Sequence, residues 1–345
     1  MKQTALLTMA GFLAVCWMVP MAVAADPDIV GTWQVKADFN GRPMESLLSF
    51  SKDKEGKFVG KAISFFGVNE LKDIKLEGDK LTYSQINRRG GNESTSTFTG
   101  TIKEGKLTGT TSSDFGEFNL EGALMKAKPA VVGNWEIKTQ RGDQTMVSTL
   151  MVSQDKEGKF LVTWKSQRGE TAATDVAYND GKLTFKRTMP ARQREGQDAQ
   201  AQPAQPREST YELTAKGDTI SGIIKSQRGE NPIEGKLVGG AIIGTWELTI
   251  TSERGDRTQW LIVFPDMTAL YGPIAVEKIA LEEKNVNFTA KISFGERSFE
   301  NQFKGQLDGD KLTGEMTSPV MGRPGEGTEA PATVTQKVTG KKLAQ

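Results

Sequence analysis

The sequence predicts an all-β protein of three tandem antiparallel up-and-down β-barrels, each of about eight short strands, behind a signal peptide. Three observations carry this. First, a short stretch is written three times: Val30-Gly31-Thr32-Trp33, Val132-Gly133-Asn134-Trp135 and Ile243-Gly244-Thr245-Trp246. Its tryptophans at 33, 135 and 246 lie 102 and 111 residues apart, the size of a small domain rather than of a solenoid unit. Second, the runs that follow alternate with a period of two, as in Trp33, Val35, Ala37, Phe39 against Gln34, Lys36, Asp38, and no comparable window carries a helical stripe. Third, the 37 glycines fall mostly at intervals of eight to twelve residues, the punctuation of short strands and tight turns. The expected units are residues 1–25, a signal peptide, then barrels over 26–127, 128–239 and 240–345.

At the N-terminus, Met1-Lys2 precedes an almost wholly apolar Ala5 to Val23, and Ala22-Val23-Ala24 supplies a small-x-small cleavage pattern. The alternatives are a retained membrane helix, which Pro20 opposes, and a lipid anchor on Cys16, where Val15 stands in place of a small residue. The exported chain is then free of cysteine, extracytoplasmic (periplasmic or secreted) and without a membrane span.

In the first repeat, strands run roughly from Gly31 to Lys126, joined by Asn40-Gly41, Glu55-Gly56, Gly78-Asp79, Gly90-Gly91 and Glu104-Gly105; such pairs reach positive φ cheaply and close hairpins. The second repeats the plan and even the letters, Asp53 to Phe58 recurring as Asp155 to Phe160. It adds Met189 to Ser209, a Gln-, Ala-, Pro- and Arg-rich stretch expected to be a disordered surface loop. Lengthening a hairpin loop from about four to about twenty residues costs only about 1.4 kcal/mol. The third has Pro265-Asp266 in place of the Lys-Glu-Gly turn and a second long loop, Pro319 to Pro331.

Strands late in each repeat read apolar-x-Gly-x-apolar, as in Phe98-x-Gly100-x-Ile102, Ile220-x-Gly222-x-Ile224 and Phe303-x-Gly305-x-Leu307. Inward glycines predict sharp coiling or a crowded interior, which suits a small closed barrel better than open sandwiches or one curved sheet. A Gly-x-Trp opening the first strand of an eight-stranded meander resembles the lipocalin and wider calycin superfamily. It is similar in style to bacterial exported modules with a Gly-Thr-Trp opening and a later Gly-Asp-Lys-Leu-Thr-Gly, here Gly309 to Gly314. The resemblance implies a barrel and a carrier of a small apolar ligand. Read from the residues alone, Trp33, Trp135 and Trp246 plug the barrel floors.

Composition excludes several chemistries. There is no histidine and one cysteine, Cys16, so serine–histidine and cysteine–histidine nucleophiles, disulfides and imidazole or thiolate zinc sites are absent. The formal net charge of +1 gives no case for nucleic acid. No cofactor is predicted.

The function-related signal is where arginine falls. Of fourteen arginines, Arg42, Arg141, Arg254 and Arg257 sit at first loops and Arg168 at a third. Arg88, Arg89, Arg192, Arg194, Arg207 and Arg297 belong to fifth loops, and Arg228 and Arg323 to seventh. An up-and-down meander brings all these to one end, and Arg187, the one placed within a strand, approaches it. Lysines such as Lys54, Lys80, Lys103, Lys156, Lys182 and Lys311 mark the other end. The planar guanidinium fork suits carboxylate, sulfate or phosphate. In the second repeat Gln140-Arg141-Gly142-Asp143, Gln167-Arg168-Gly169-Glu170 and Gln227-Arg228-Gly229-Glu230 converge on one rim, and there each acid can instead neutralise its own arginine. The predicted ligand-binding set is Arg141, Arg168, Arg228, Arg254, Arg257 and Trp164, with Tyr178 and Phe66 as nearby aromatics. The expectation is a non-catalytic exported binding or scaffold protein, taking an anionic polysaccharide or a protein partner at the arginine end of each barrel. The alternatives are a carrier of a small apolar ligand and a carboxylate-dependent glycosidase. Oligomeric state is not written in the sequence.

Overall fold

In the computed structural model, residues 29–39, 42–89, 92–114, 116–141, 143–155, 157–189, 206–253, 255–294, 297–319 and 332–343 are described. The expected signal peptide, most of the 189–209 insertion and nearly all of the loop after Pro319 lie outside them. The described residues form β-strands and turns, with no helix among them.

The first repeat is a closed barrel of eight strands in sequence order: β1 (Gly31–Phe39), β2 (Arg42–Lys52), β3 (Phe58–Ser64), β4 (Gly67–Glu77), β5 (Lys80–Arg89), β6 (Asn92–Lys103), β7 (Lys106–Ser113) and β8 (Gly116–Leu124). Closure comes from β1 pairing with β8, Trp33 opposite Leu124.

The second repeat comprises β9 (Gly133–Arg141), β10 (Gln144–Gln154), β11 (Phe160–Ser166), β12 (Gly169–Ala172), β13 (Thr174–Asn179), β14 (Lys182–Met189), β15 (Arg207–Lys216), β16 (Thr219–Ser226) and β17 (Gly229–Leu237). β12 and β13 are one strand with a kink. β12 pairs with β11 and β13 with β14, so the sheet curls round on itself. The kink repeats a feature of β4, where the register also shifts; Asp73 and Asp175 occupy it with the same positive φ of 51°. Aspartate tolerates that left-handed conformation better than most residues.

The third repeat comprises β18 (Gly244–Thr251), β19 (Arg257–Val263), β20 (Ala269–Tyr271), β21 (Ile274–Val276), β22 (Ala280–Glu282), β23 (Asn285–Phe294), β24 (Arg297–Asp308), β25 (Lys311–Pro319) and β26 (Thr333–Lys342). Here the fourth strand is cut into the short pieces β21 and β22, and the β20–β21 hairpin is short.

The recurring motif is a floor. Trp33, Trp135 and Trp246 are fully buried, and each indole Nε1 donates to the carbonyl four residues earlier: Ile29 at 2.9 Å, Val131 at 2.9 Å and Ile242 at 2.7 Å. The glycine two residues before each tryptophan sits at φ between 125° and 154°, where a Cβ is disfavoured. Above the floor, aromatic rings stack: Tyr83 on Phe98 at 4.8 Å, Phe185 on Tyr211 at 4.6 Å and Phe288 on Phe303 at 5.1 Å. The inward glycines make room for them. A Cβ on Gly100 or Gly109 would collide with the Phe98 ring, and one on Gly305 or Gly314 with the Phe303 ring. The interior is crowded. The repeated hexapeptide is a turn: Asp53 Oδ1 accepts from Glu55 N and Lys57 N, both at 2.9 Å, and Asp155 Oδ1 does the same for Glu157 and Lys159.

Barrels 1 and 3 share a further apolar cluster on their outer walls. Leu47 and Ile63, outward on β2 and β3, cover Trp260, outward on β19, with Val68, Met125, Ile262 and Leu270 around them. Lys61 Nζ meets Glu247 Oε2 at 2.7 Å across this contact, and Gln259 Nε2 donates to the Ser64 carbonyl at 2.9 Å. The β3–β4 turn of barrel 1 therefore lies beside the part of β19 that the short β20 leaves uncovered. Barrel 2 touches barrel 3 through Lys128, which pairs with Asp266 and lies 4.7 Å from the Phe264 ring centre.

Candidate functional site

The hairpin geometry of barrel 2 delivers Arg168 and Arg228 to one end. Arg168 caps the β11–β12 turn and Arg228 the β16–β17 turn. Each turn is held the same way, the backbone N–H of the arginine donating to a serine hydroxyl two residues back, Ser166 at 3.3 Å and Ser226 at 3.2 Å. Both side chains are exposed. Among the described residues neither is held in an ion pair, and Glu170 is taken by Lys165 at 3.1 Å instead. These two tips do not neutralise themselves.

The other predicted residues fare differently. Arg141 ends β9; its side chain, like the whole of Arg254, lies outside what is described. Arg257 begins β19 rather than standing in a loop, and is half-buried. It borders the contact with barrel 1, where a Cβ added to Gly67 would lie 3.4 Å from its Cγ. Its charge also opposes the effect of burial on Tyr271, whose phenol pKa is pushed up.

Trp164, a member of the predicted binding set, lies inside the barrel. It is 5% exposed and belongs to the core of barrel 2, its ring 5.4 Å from Tyr211. The physical reason is parity: Phe160, Val162 and Trp164 share one face of β11, and that face is the inner one. Tyr178 packs on Phe160 at 4.9 Å, half-buried. Phe66 is exposed, but on the turn that barrel 1 sets against barrel 3.

What the prediction missed as a member of this site is Arg187. Leu183, Phe185 and Arg187 alternate onto the inner face of β14, so this arginine points into the mouth. Its Cζ lies 4.7 Å from the Trp164 ring centre, a cation–π contact on top of the Trp164–Tyr211–Phe185 stack. Its Nε is buried without a hydrogen-bond partner. The mouth of barrel 2 thus has two exposed guanidinium groups on its rim, in no ion pair among the described residues, and a third seated one layer inside.

Two carboxylates elsewhere are tuned downward. Glu212 and Glu247 are held below the usual carboxylate range by hydrogen bonds from Lys225 and Lys61 respectively. No group of three or more acidic, cysteine or histidine side chains placed to hold a metal occurs among the described residues. Nor is any helix there long and apolar enough to cross a membrane, which says nothing of strands.

No protein-family profile and no curated protein matches the sequence. Among solved structures, the chain is similar to a candidate outer-membrane protein of Bacteroides fragilis, at 15% identity over 60% of this chain and 97% of that one, TM-score 0.23. It is also similar to a protein of unknown function from the DUF3598 family of Nostoc punctiforme, at 9% identity over 91% and 96% of the two chains, TM-score 0.21. A third is the isotype 1 transferrin binding protein B of serogroup B Neisseria meningitidis, at 11% identity over 87% and 65%, TM-score 0.19. None of the three is described as a lipocalin, and overlaps this loose do not bear on what the chain binds.

Proposed function

We propose that the chain is a non-catalytic binding or scaffold protein, exported from the cytoplasm, that engages an anionic polysaccharide through the arginine end of barrel 2. The observation that carries this is the division of labour between the basic residues. Lys165 takes Glu170 while the adjacent Arg168, like Arg228, is left exposed and without an ion pair among the described residues. Repeated weak contacts of this kind suit a polymer better than a single small ligand.

Two findings weigh against the alternatives. An apolar carrier needs a hollow barrel, whereas stacked rings occupy all three interiors and lie against inward glycines in barrels 1 and 3. A glycosidase needs a general acid with a raised pKa, and neither Glu212 nor Glu247, both lowered, supplies it.

The test is binding of the purified chain to neutral and anionic polysaccharides at low and high salt. Binding confined to anionic polymers, weakened by salt as exposed charge contacts are, and lost in an Arg168→Ala, Arg228→Ala double variant is the expected result. Equal binding to neutral polymers refutes it.

A further inference from the structure

The three mouths differ in the layer just above the stacked rings. Register places Gln85, Arg187 and Ala290 at one position of the fold, opposite Ser96, Ser209 and Asn301. In barrel 1 this layer is satisfied internally: Gln85 Nε2 donates to Asn87 Oδ1 at 2.6 Å, and Asn87 Nδ2 to Ser96 Oγ at 3.3 Å. In barrel 3 the position is a fully buried alanine. In barrel 2 it is a cation whose Nε has no partner. Burying an unsatisfied donor on a charged group is unfavourable, and the sister barrels close without it. The barrel does not need Arg187 in order to form.

The chemistry at that point is specific. The two terminal Nη–H groups form the flat end of the guanidinium that meets both oxygens of a carboxylate, while Nε–H is its buried edge. Stacking on Trp164 fixes the plane of the group before any ligand arrives. Strand alternation puts Thr139, Ser148 and Asn231 on the same inner face as buried Ile137, Leu150 and Ile233, at the mouth end of β9, β10 and β17. Hydroxyl and amide groups therefore line the mouth together with Met146, and buried Ser209 stands opposite the arginine in register.

We infer that the mouth of barrel 2 is a carboxylate site for a uronate-bearing glycan. Arg187 takes the carboxylate through its two Nη groups, the hydroxyl and amide layer takes sugar hydroxyls, and Arg168 and Arg228 take further charges along the polymer. The inference rests on the binding reading above and narrows it to one side chain and one anion.

The experiment is calorimetric titration of the full chain with oligogalacturonate, its methyl ester and dextran sulfate, for the wild type, Arg187→Gln, Arg187→Lys, Asn231→Trp and the Arg168→Gln, Arg228→Gln double variant. Oligogalacturonate binds and its methyl ester does not. Arg187→Gln, which copies Gln85 of barrel 1, keeps the melting temperature and weakens binding about ten- to a hundredfold, the worth of a charge-assisted contact. Arg187→Lys recovers little, because an ammonium lacks the fork. Asn231→Trp obstructs the mouth while leaving Arg187 in place, so its loss of binding supports the site even if Arg187→Gln folds poorly. Unchanged affinity in Arg187→Gln, with loss in the rim double variant, overturns this inference and leaves the rim reading standing. Binding of dextran sulfate without oligogalacturonate overturns the carboxylate assignment. No binding of either anionic polymer overturns both readings.

Discussion

Trp260 points out of barrel 3 and is nonetheless only 7% exposed, because Leu47 and Ile63 of barrel 1, both fully buried, lie over it. Replacing Trp260 by alanine removes a large buried ring, worth about 3–5 kcal/mol, and Leu47→Ala about 2–5 kcal/mol. Each estimate assumes that the other wall stays in place to be wetted. Because the two side chains share one cluster, the double variant loses less than the sum of the singles, by about 0.5–3 kcal/mol. The assay is a double-mutant cycle from urea unfolding followed by far-ultraviolet circular dichroism. A three-barrel chain need not unfold in one step, so the transition that shifts with Trp260→Ala is fitted by itself. Thr149→Ala, at the matching outward position of barrel 2, serves as the control and moves it little. Additivity within about 0.5 kcal/mol refutes the reasoning, since barrels 1 and 3 would then not share a core.

Three further predictions follow from the same packing. Gly100→Ala drives a methyl into the Phe98 ring and the Thr108 carbonyl and lowers stability by about 1–3 kcal/mol, whereas Gly240→Ala, with open space around it, is near neutral; thermal melts compare them. Asp155→Ala removes the carboxylate that accepts from Glu157 N and Lys159 N and costs about 1 kcal/mol, visible as earlier urea unfolding of barrel 2. Glu247 has its folded pKa depressed, first by the hydrogen bond from Lys61, so its stabilisation is complete above the ordinary carboxylate value and is lost as pH falls through the depressed one. The pair is about one-third exposed, so the loss below pH 4.5 is at most about 1 kcal/mol, and Glu247→Gln abolishes that part of the acid dependence in urea titrations at stepped pH.

Much of this could be read from the letters. The tryptophan repeat marks the floors, and the copied Asp-Lys-Glu-Gly turn marks the same hairpin in two barrels. The contact between barrels 1 and 3 was also written, in runs that break alternation: Leu47-Leu48 and Ala62-Ile63 in the first repeat, Trp260 to Val263 in the third. A strand apolar on both faces must be covered on both. The second repeat has Thr149 and Lys165 at the matching outward positions, which is why its outer wall is left out of the contact. The parity of Trp164 with Val162, and of Arg187 with Phe185, was equally available. Trp164 enters the predicted binding set as an aromatic near the rim, whereas alternation makes it an interior residue. The kinks at Asp73 and Asp175 were not legible, because an aspartate in a polar strand carries no separate mark of a positive φ.

A filled barrel separates stability from recognition. Below the ring stack the three repeats are nearly the same object, with the same indole bonded to the same carbonyl, because every position there touches many others and a change of volume is felt throughout. Above the stack the mouths differ: an amide pair closed on itself in barrel 1, a buried alanine in barrel 3, and in barrel 2 a guanidinium whose Nε has no partner among the described residues. Barrel 1 also commits its β3–β4 turn to barrel 3, where Gln259 holds it. In barrel 2 the equivalent turn carries Arg168 exposed to solvent. The same hairpin thus braces the molecule in one repeat and presents charge in the next. On this account substitutions at the mouth of barrel 2 change what is bound and leave folding intact, while substitutions at the matching turn of barrel 1 do the reverse.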